Sequence, residues 1–513
     1  MLQRFSKIVL LLVLTIAAAA LILAAFVSLR WRYVHDSPIM VYAGYLVAHG
    51  AVPYRDFFDI NMPGTYFTMW FMGSVFGWND IGFRVFDLLS LASIVVATFW
   101  WMKRFGKLPA LVAALAFPLW YLHAGPPLSM QREYIALVPF AWLLALVSDE
   151  TKLKSRSRYL FAGILAGMTL LIKPQFFVLS LPLLFVLLRW DTSSIGVQRR
   201  TILFVGGISI PLGATFLYLL FTGSLGPFID IVVNYWPLYS HLTETHTTIS
   251  GLPRLLYLAH ATWFGLFKIY VPTAIVGLFV LSGDSSYRRS VWMFSGLLVA
   301  AAIYPALSGQ FWNYHWIPFY YVLLCASSLA ARPIERWSFA GLAPIGVAIS
   351  MMLWLSSKVV DDLRISGISL SGESRPKDLV ADEIARFLRA QMKPGDTVQP
   401  LDWTGGAVHA MLMVRAPLAT RFIYDFHFYH HVNNPYIGKL RREFMIELTA
   451  RKPRFIIQVL EFKPWPRGPN TTRHFPELQE FLEQCYATAQ QGATYRILER
   501  KEDASKQSTR GIP

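Results

Sequence analysis

The sequence has little charge and little cysteine for its length of 513 residues. Only 15% of its residues are charged, whereas a soluble domain usually has about 25%. Together with a mean hydropathy of +0.42, this excludes an intrinsically disordered chain and argues against a soluble cytosolic enzyme. The two cysteines, Cys325 and Cys485, are too few and too far apart for a disulfide framework or a cysteine-ligated zinc site.

The charge that is present has one sign in excess. Lysine and arginine number 47 against 31 aspartates and glutamates, which gives a formal net charge of +16. The basic residues cluster in short segments between apolar stretches, as they do in the cytoplasmic loops of membrane proteins. The excess therefore indicates orientation in a membrane, and no nucleic-acid partner is predicted.

Several apolar stretches are long enough, or nearly so, to cross a hydrocarbon core of about 30 Å. They are residues 8–29, 80–102, 108–123, 133–148, 159–172, 174–190, 201–221, 262–282, 290–307, 316–331 and 338–356. The first exceeds the apolar core of about 7–15 residues of a signal peptide and has no clear cleavage site, so we predict an uncleaved helix. The basic clusters occupy alternate connections, which the positive-inside rule places in the cytoplasm. With about eleven crossings, the C-terminal end of the chain then lies outside.

The predicted fold class is a polytopic α-helical membrane protein with a C-terminal extracytoplasmic α/β domain. Its membrane domain covers 1–356, and the first outer loop, 30–79, contains interfacial helices. A linker, 357–375, leads to the soluble domain, 376–513, where helical patterns alternate with strand-like segments. The predicted strands are residues 396–401, 419–424, 454–460 and 494–500.

Two histidine-containing segments are candidate functional sites. In the soluble domain, Phe426 to His431 contains three histidines, but adjacent residues of a strand point to opposite sides, so a surface loop is predicted rather than a metal site. In the membrane domain, His315 belongs to an aromatic turn before the tenth crossing.

The first outer loop carries several ionisable groups at the membrane surface. They are Asp36, Arg55, Asp56 and Asp59, with Tyr54 beside them. Charges at such a position are costly unless they are paired or used. The simpler alternative is that Asp36 only caps a helix, while Arg55 and Asp56 are a solvated pair.

Other connections on the same side of the membrane add further polar groups. Arg132 and Glu133 stand at the mouth of the fourth crossing, and Lys173 follows the fifth. Together with His315, they recur at one membrane face, and this predicts a common cavity.

The spacing of ten residues in the first outer loop resembles a known family. These residues are Asp36, Tyr42, Gly50, Pro53, Tyr54, Arg55, Asp56, Asp59, Pro63 and Gly64. The pattern resembles the GT-C class of membrane glycosyltransferases, in the branch that contains protein O-mannosyltransferases and the lipid A aminoarabinose transferase. Agreement at the level of motifs covers about the first 175 residues and 308–320. The chain departs from the aminoarabinose branch at Asn61-Met62, where that branch has a lysine.

The resemblance implies a polyprenyl-phosphate-linked sugar donor, delivered among membrane lipids, and an acceptor at the outer face. The acceptor would be lipopolysaccharide or lipid A, another envelope glycan or lipid, or a protein. The implied location is the bacterial inner membrane.

The resemblance also implies roles for the residues of the predicted cavity. Asp36 matches the family's catalytic aspartate and is predicted to be the general base of an inverting transfer. Arg55, Arg132 and Lys173 are the candidates for binding the donor phosphate. Five further residues are predicted to bind the acceptor or to position other groups: Tyr54, Asp56, Asp59, Glu133 and His315. No cofactor is firmly predicted, although Glu133 and Asp56 are also candidates to bind a divalent metal.

The alternative function is a transporter or flippase of lipid-linked glycans without transferase activity. Such a protein is expected to place charged groups near the bilayer midplane. Here the predicted crossings contain few charged residues, and the acids lie mainly in the outer loops, which favours the transferase. A non-catalytic assembly or sensor protein is a third alternative.

Overall fold

The structure is a computed structural model of the chain. It describes residues 2–148, 156–189, 195–241, 251–263, 269–307, 311–332, 343–367, 376–461, 463, 465 and 470–501. The described residues up to 367 are mainly helical, and those from 376 to 501 contain a small sheet flanked by helices. This arrangement confirms the predicted class of an α-helical membrane protein with a C-terminal α/β part, whereas the side of the membrane on which that part lies stays a prediction.

The first part of the chain forms helices α1 to α16. Their bounds are α1 Leu2–Ser28, α2 Ser37–Ala48, α3 Pro63–Phe76, α4 Asp80–Met102, α5 Lys107–Ala124, α6 Arg132–Ser148, α7 Arg156–Ile172, α8 Phe177–Arg189, α9 Val197–Phe221, α10 Leu225–Asp230, α11 Trp236–Ser240, α12 Gly251–Trp263, α13 Tyr270–Ser282, α14 Arg288–Leu307, α15 Ile317–Ser328 and α16 Ala343–Gly367. Each predicted crossing overlaps one of these helices. In the described part of the chain, 6 helical segments are long and apolar enough to cross a membrane, so the full number of crossings stays a prediction.

Helix α16 continues to Gly367 and therefore extends into the predicted linker, 357–375. The rest of that linker, 368–375, lies outside the described residues. The division into two domains with these boundaries stays a prediction.

The soluble domain contains four helices and four strands. They are α17 Pro376–Gln391, β1 Val398–Leu401, α18 Ala407–Val414, α19 Pro435–Arg451, β2 Phe455–Val459, α20 Pro476–Cys485, β3 Tyr486–Gln491 and β4 Tyr495–Arg500. The strand order is β1-β2-β4-β3; β1 and β2 are parallel, and the other pairs are antiparallel.

Three of the four predicted strands match β1, β2 and β4, and the fourth prediction is wrong. Residues 419–424 form an irregular segment that contacts both β1 and the first outer loop: the Ala419 N–H donates to the Val398 carbonyl over 3.0 Å, and Phe422 forms an isolated bridge with Phe58. The Phe58 N–H donates a hydrogen bond to the Arg421 carbonyl over 2.7 Å. Strand β3 was not predicted.

The soluble domain is docked on the first outer loop by further specific contacts. The Arg32 guanidinium binds both carboxylate oxygens of Asp382, at 2.6 and 3.0 Å. The Tyr42 hydroxyl donates to the Ala416 carbonyl over 2.7 Å. These contacts fix the soluble domain directly above helix α2.

The predicted surface loop at Phe426 to His431 is wrong, because His427 and His430 are fully buried at this domain contact. The Tyr235 hydroxyl lies 2.8 Å from Nδ1 of His427 and 2.9 Å from Nε2 of His430. Tyr235 belongs to a π-helical turn between α10 and α11. The histidines therefore join the soluble domain to the membrane part through a shared tyrosine.

A buried ion pair inside the membrane part supports the connection that precedes α6. Arg84 and Asp87 of α4 are fully buried and paired with each other. Asp87 also accepts hydrogen bonds from Tyr121 over 2.7 Å and from Ser129 over 2.9 Å. Because Ser129 lies three positions before Arg132, this network fixes the turn that leads into the next helix.

We expect Asp87→Ala to destabilise the protein by roughly 3–5 kcal/mol, because it leaves the Arg84 guanidinium buried without its counter-charge. Thermal unfolding in detergent measures the effect. The matched control is Asp56→Ala, which breaks the exposed pair with Arg55 and should shift the unfolding temperature much less. Equal shifts for the two variants would contradict the structural role of the buried pair.

Candidate active site

The centre of the site is an ion pair between Asp36 and Arg132. Asp36 lies at the N-terminus of α2, but its side chain makes no capping hydrogen bond to that helix. Instead, Oδ2 of Asp36 accepts a hydrogen bond from Nη2 of Arg132 over 3.2 Å. The carboxylate therefore faces the first residue of α6, and the alternative of a simple helix cap does not describe it.

A second ion pair lies next to the first because Glu133 follows Arg132 in the chain. Oε1 of Glu133 is 2.8 Å from Nζ of Lys173 and 3.6 Å from Nε2 of His315. Glu133 is fully buried. The predicted residues Arg132, Glu133, Lys173 and His315 thus meet in space, as the sequence indicated.

Short 3₁₀ turns bring these residues together. Pro126–Leu128 precedes α6, Pro174–Phe176 precedes α8, and Asn313–Trp316 precedes α15. A 3₁₀ turn tightens the end of a helix and is used in short pieces. Lys173 and His315 therefore lie at helix ends on the same side of the bundle as Arg132.

Asp59 supports this centre from the first outer loop. Its carboxylate is fully buried and accepts hydrogen bonds from Asn61 Nδ2 over 2.9 Å and from the hydroxyls of Tyr66 and Tyr424 over 3.0 Å each. Asn61 in turn accepts a 2.6 Å hydrogen bond from Nη1 of Arg132. Asn61 thereby orients the guanidinium.

Two adjoining cavities open at this centre. The larger, of about 490 Å³, is lined by Arg132, Lys173, His315 and the aromatic side chains Trp312 and Tyr314, among others. The smaller, of about 20 Å³, is lined by Asp36, Asp59 and Arg132 together with side chains of the soluble domain. Arg132 lines both cavities, so the predicted common cavity has two compartments that share one guanidinium.

The electrostatic environment keeps Asp36 ionised. Burial raises the pKa of the Asp36 carboxyl, but His35 and Arg132 outweigh this effect and lower the pKa to about 2. Asp59 differs, because burial raises its pKa despite the hydrogen bonds that it accepts. Asp36 is thus ionised at neutral pH.

Four of the predicted residues do not line these cavities: Glu133, whose partners Lys173 and His315 line the larger one, and Arg55, Asp56 and Tyr54. Arg55 binds both oxygens of Asp56 over 2.8 Å and donates to the Thr222 carbonyl at the protein surface. Tyr54 is buried and donates to the Asn61 carbonyl over 2.6 Å. Among the described residues that line the two compartments, Arg55, Asp56 and Tyr54 are absent.

Several residues at the site were not assigned a role from the sequence. Tyr314 accepts a 3.2 Å hydrogen bond from Arg132, and Tyr304 donates to Glu133 over 3.4 Å. Trp403, Tyr424 and Phe426 reach the smaller cavity from the soluble domain. Tyr314 was recognisable as part of the aromatic turn with His315, whereas the soluble domain gave no comparable motif.

The residues present offer little for a divalent metal. Glu133 has one buried oxygen, Oε2, with no hydrogen-bond partner among the described residues, and His315 is its nearest nitrogen ligand. However, Lys173 already supplies the positive charge beside Glu133, and Asp56 lies elsewhere. Within the described ranges, no three His, Cys, Asp or Glu side chains are grouped as metal ligands.

The arrangement of helices, first outer loop and C-terminal α/β domain is the fold of the GT-C class of membrane glycosyltransferases. One solved protein with this fold is ArnT from Cupriavidus metallidurans, a lipid A aminoarabinose transferase. The structure bound to undecaprenyl phosphate covers 94% of this chain and 97% of ArnT, with 12% identity and a TM-score of 0.59. The apo structure gives the same coverage, with 13% identity and a TM-score of 0.60.

A structure of the mycobacterial arabinofuranosyltransferase AftD matches 98% of this chain and 42% of its own length, with a TM-score of 0.48 and 12% identity. No family model matches the chain, and no curated protein sequence matches it either. At these low identities, the comparisons establish the fold alone.

We expect the stabilising effect of ionised Asp36 to weaken in acid. Its folded pKa of about 2 lies below the ordinary value of 3.8, so the unfolded chain binds the proton first as the pH falls. The contribution is complete above about pH 5 and is lost between about pH 4 and pH 2. The free energy of unfolding of wild type relative to Asp36→Asn should be about 1 kcal/mol smaller at pH 3 than at pH 5.5. Denaturant titrations in detergent measure this difference, and a constant difference would contradict the lowered pKa.

Proposed function

We propose that this protein is a membrane glycosyltransferase that moves a sugar from a polyprenyl-phosphate donor to an acceptor of the cell envelope. The observation that carries the proposal is the buried Asp36–Arg132 pair, whose guanidinium also lines a cavity with Lys173. The GT-C fold supports it, since ArnT has the same fold and was solved with undecaprenyl phosphate.

The donor phosphate binds in the larger cavity, next to Arg132 and Lys173. The volume of about 490 Å³ suits a phosphate with an attached sugar ring. Nε of Arg132 is buried and has no hydrogen-bond partner among the described residues. A guanidinium with a donor to spare contacts two oxygens of a phosphate, and the Lys173 ammonium adds a second positive charge.

Asp36 acts as the general base from the smaller cavity. An acceptor hydroxyl that enters this compartment gives its proton to the Asp36 carboxylate as its oxygen attacks the anomeric carbon. The bond between that carbon and the phosphate oxygen breaks, and negative charge grows on the departing polyprenyl phosphate. Arg132 and Lys173 stabilise this charge.

Donor binding strengthens the base. In the free protein, Arg132 is one of the groups that hold the pKa of Asp36 at about 2, where it has little affinity for a proton. A phosphate on the same guanidinium places negative charge beside Asp36 and raises its pKa. Proton acceptance is thereby coupled to the presence of the donor.

The proposal also includes the location of the protein and the class of acceptor. The protein lies in a bacterial inner membrane, with residues 376–513 on the extracytoplasmic side, where an acceptor of the envelope is available. Lipopolysaccharide or lipid A, another envelope glycan or lipid, and a protein are the acceptor classes. Glu133, His315 and Asp59 position the cations and the acceptor through the contacts described above.

We expect Asp36→Asn to abolish sugar transfer while undecaprenyl phosphate still binds, because an amide takes no proton but keeps the size of the side chain. The test compares envelope glycolipids and glycoproteins by mass spectrometry in cells with wild-type protein, with Asp36→Asn and without the protein. A modified envelope component that needs the protein but not the Asp36 carboxylate would favour the transporter or flippase.

Arg132→Gln and Lys173→Met should each weaken undecaprenyl phosphate binding roughly 10- to 100-fold, the value of one charge-assisted hydrogen bond. Binding is measured by native mass spectrometry in detergent. Arg55→Gln tests the third predicted cation and should have a smaller effect, because Arg55 engages Asp56 at the surface. A loss for Arg55→Gln equal to that for Arg132→Gln would place the phosphate near the surface instead.

The transferred sugar should have the opposite anomeric configuration to the donor, because one carboxylate acts as base in a single displacement. NMR of the isolated product and donor determines both configurations. Retention would require a second carboxylate to act as nucleophile and would contradict the assignment of Asp36.

A further inference from the structure

The soluble domain forms one wall of the compartment that contains Asp36. Trp403, Tyr424 and Phe426 line the cavity of about 20 Å³ beside the catalytic carboxylate. All three side chains are nearly buried. The candidate base is therefore enclosed between helix α2 and a domain that begins more than 300 residues later in the sequence.

The loop that presents Trp403 is held rigidly. It follows β1 and precedes α18, and the Asp402 carboxylate accepts hydrogen bonds from the backbone N–H groups of Gly405 over 2.8 Å and Ala407 over 2.9 Å. Gly406 has a φ of +113°, which L side chains rarely adopt. Trp403 thus has a fixed position at the carboxyl end of a parallel strand, where open α/β sheets bind ligands.

Aromatic side chains from both domains contact the ring of Trp403. Its ring centroid lies 4.1 Å from that of Phe426 and 6.4 Å from that of Trp312, which it meets edge to face. Trp312 precedes α15 and lines the larger cavity. The indole therefore stands at the boundary between the two compartments.

The indole also acts on the Asp36 carboxylate. After burial, His35 and Arg132, the Trp403 indole is a further group that lowers the pKa of Asp36. An indole N–H is a donor only, so it favours the ionised carboxylate. The position of Trp403 beside Asp36 and the N–H donor of its indole both fit a role at this carboxylate.

The size of the compartment limits what reaches Asp36. A volume of about 20 Å³ holds one water-sized group, because a single water needs roughly 10–15 Å³ on this measure. A hydroxyl is small enough to enter this narrow space beside the carboxylate. The larger ring that carries it would then contact Trp403 and Phe426, which line the same cavity.

We propose that Trp403 of the soluble domain is a positioning residue that covers Asp36 and admits a single acceptor hydroxyl to it. This rests on the proposed function of Asp36 as general base. The soluble domain is then a part of the reaction centre, and Trp403 and Phe426 form the surface on which the acceptor is selected.

The first test measures how accessible the Asp36 carboxylate is to a reagent, with the whole chain in detergent. A carbodiimide with glycinamide labels accessible carboxyl groups, and peptide mass spectrometry reads the extent at each residue. In Trp403→Ala, labelling of Asp36 should rise at least about fivefold, because its cover is removed. Asp56, whose side chain is 35% exposed, is the internal standard and should be labelled equally in both proteins.

The second test measures the product in cells by the mass spectrometry described above. Trp403→Ala should lower the product roughly 10- to 100-fold, because the hydroxyl is no longer positioned, while undecaprenyl phosphate binding stays within about twofold of wild type. Trp403→Phe should restore part of the product because it keeps an aromatic cover. Trp465→Ala is the matched control, a tryptophan of the same domain that packs on Tyr429 and lies away from Asp36.

The outcomes separate this inference from the proposed function. If Asp36→Asn abolishes the product but folded Trp403→Ala leaves the amount of product unchanged, the role of Trp403 is overturned and the proposed function is not. Unchanged labelling of Asp36 in Trp403→Ala likewise overturns only the role of Trp403. Product unchanged in both variants overturns the proposed function itself. Equal losses in Trp403→Ala and Trp465→Ala, with no rescue by Trp403→Phe, show a merely structural effect and also overturn the inference.

Discussion

The ion pair between Asp36 and Arg132 joins two helix starts that are 96 residues apart in the chain. Both side chains are nearly buried, and either charge left alone in that position would cost several kcal/mol. The first outer loop and the start of α6 are therefore held together by a requirement of charge neutrality. Asn61 and Tyr314, which accept hydrogen bonds from the same guanidinium, set its orientation.

Glu133 and Lys173 form a second ion pair next to the first, and here too each charge is neutralised by its partner. Two carboxylates and two cations alternate within a small region, so each of these four charges has an opposite charge beside it. The balance explains how charged groups persist beside a membrane, where a single charge is expensive. It also makes the site responsive, because an added phosphate changes the partners of Arg132 and thereby the proton affinity of Asp36.

The soluble domain depends on the same region. Its irregular segment at 419–424 pairs with the first outer loop, and Tyr424 donates to Asp59, which holds Asn61 against Arg132. A continuous chain of hydrogen bonds thus runs from the soluble domain to the central guanidinium. Movement of that domain would break hydrogen bonds at the site. This would cost free energy because buried polar groups would lose their partners.

The helical membrane architecture, the α/β domain and the grouping of Arg132, Glu133, Lys173 and His315 were predictable from the sequence. Apolar length and the spacing of charged residues are local properties, so they are readable without a structure. Three other features became visible only in the folded chain: Arg55 and Asp56 stay at the surface, His427 and His430 are buried between the domains, and Trp403 lines the same small cavity as Asp36. These outcomes depend on contacts between residues hundreds of positions apart, and such contacts are set by packing between domains, which leaves no periodic pattern in the chain.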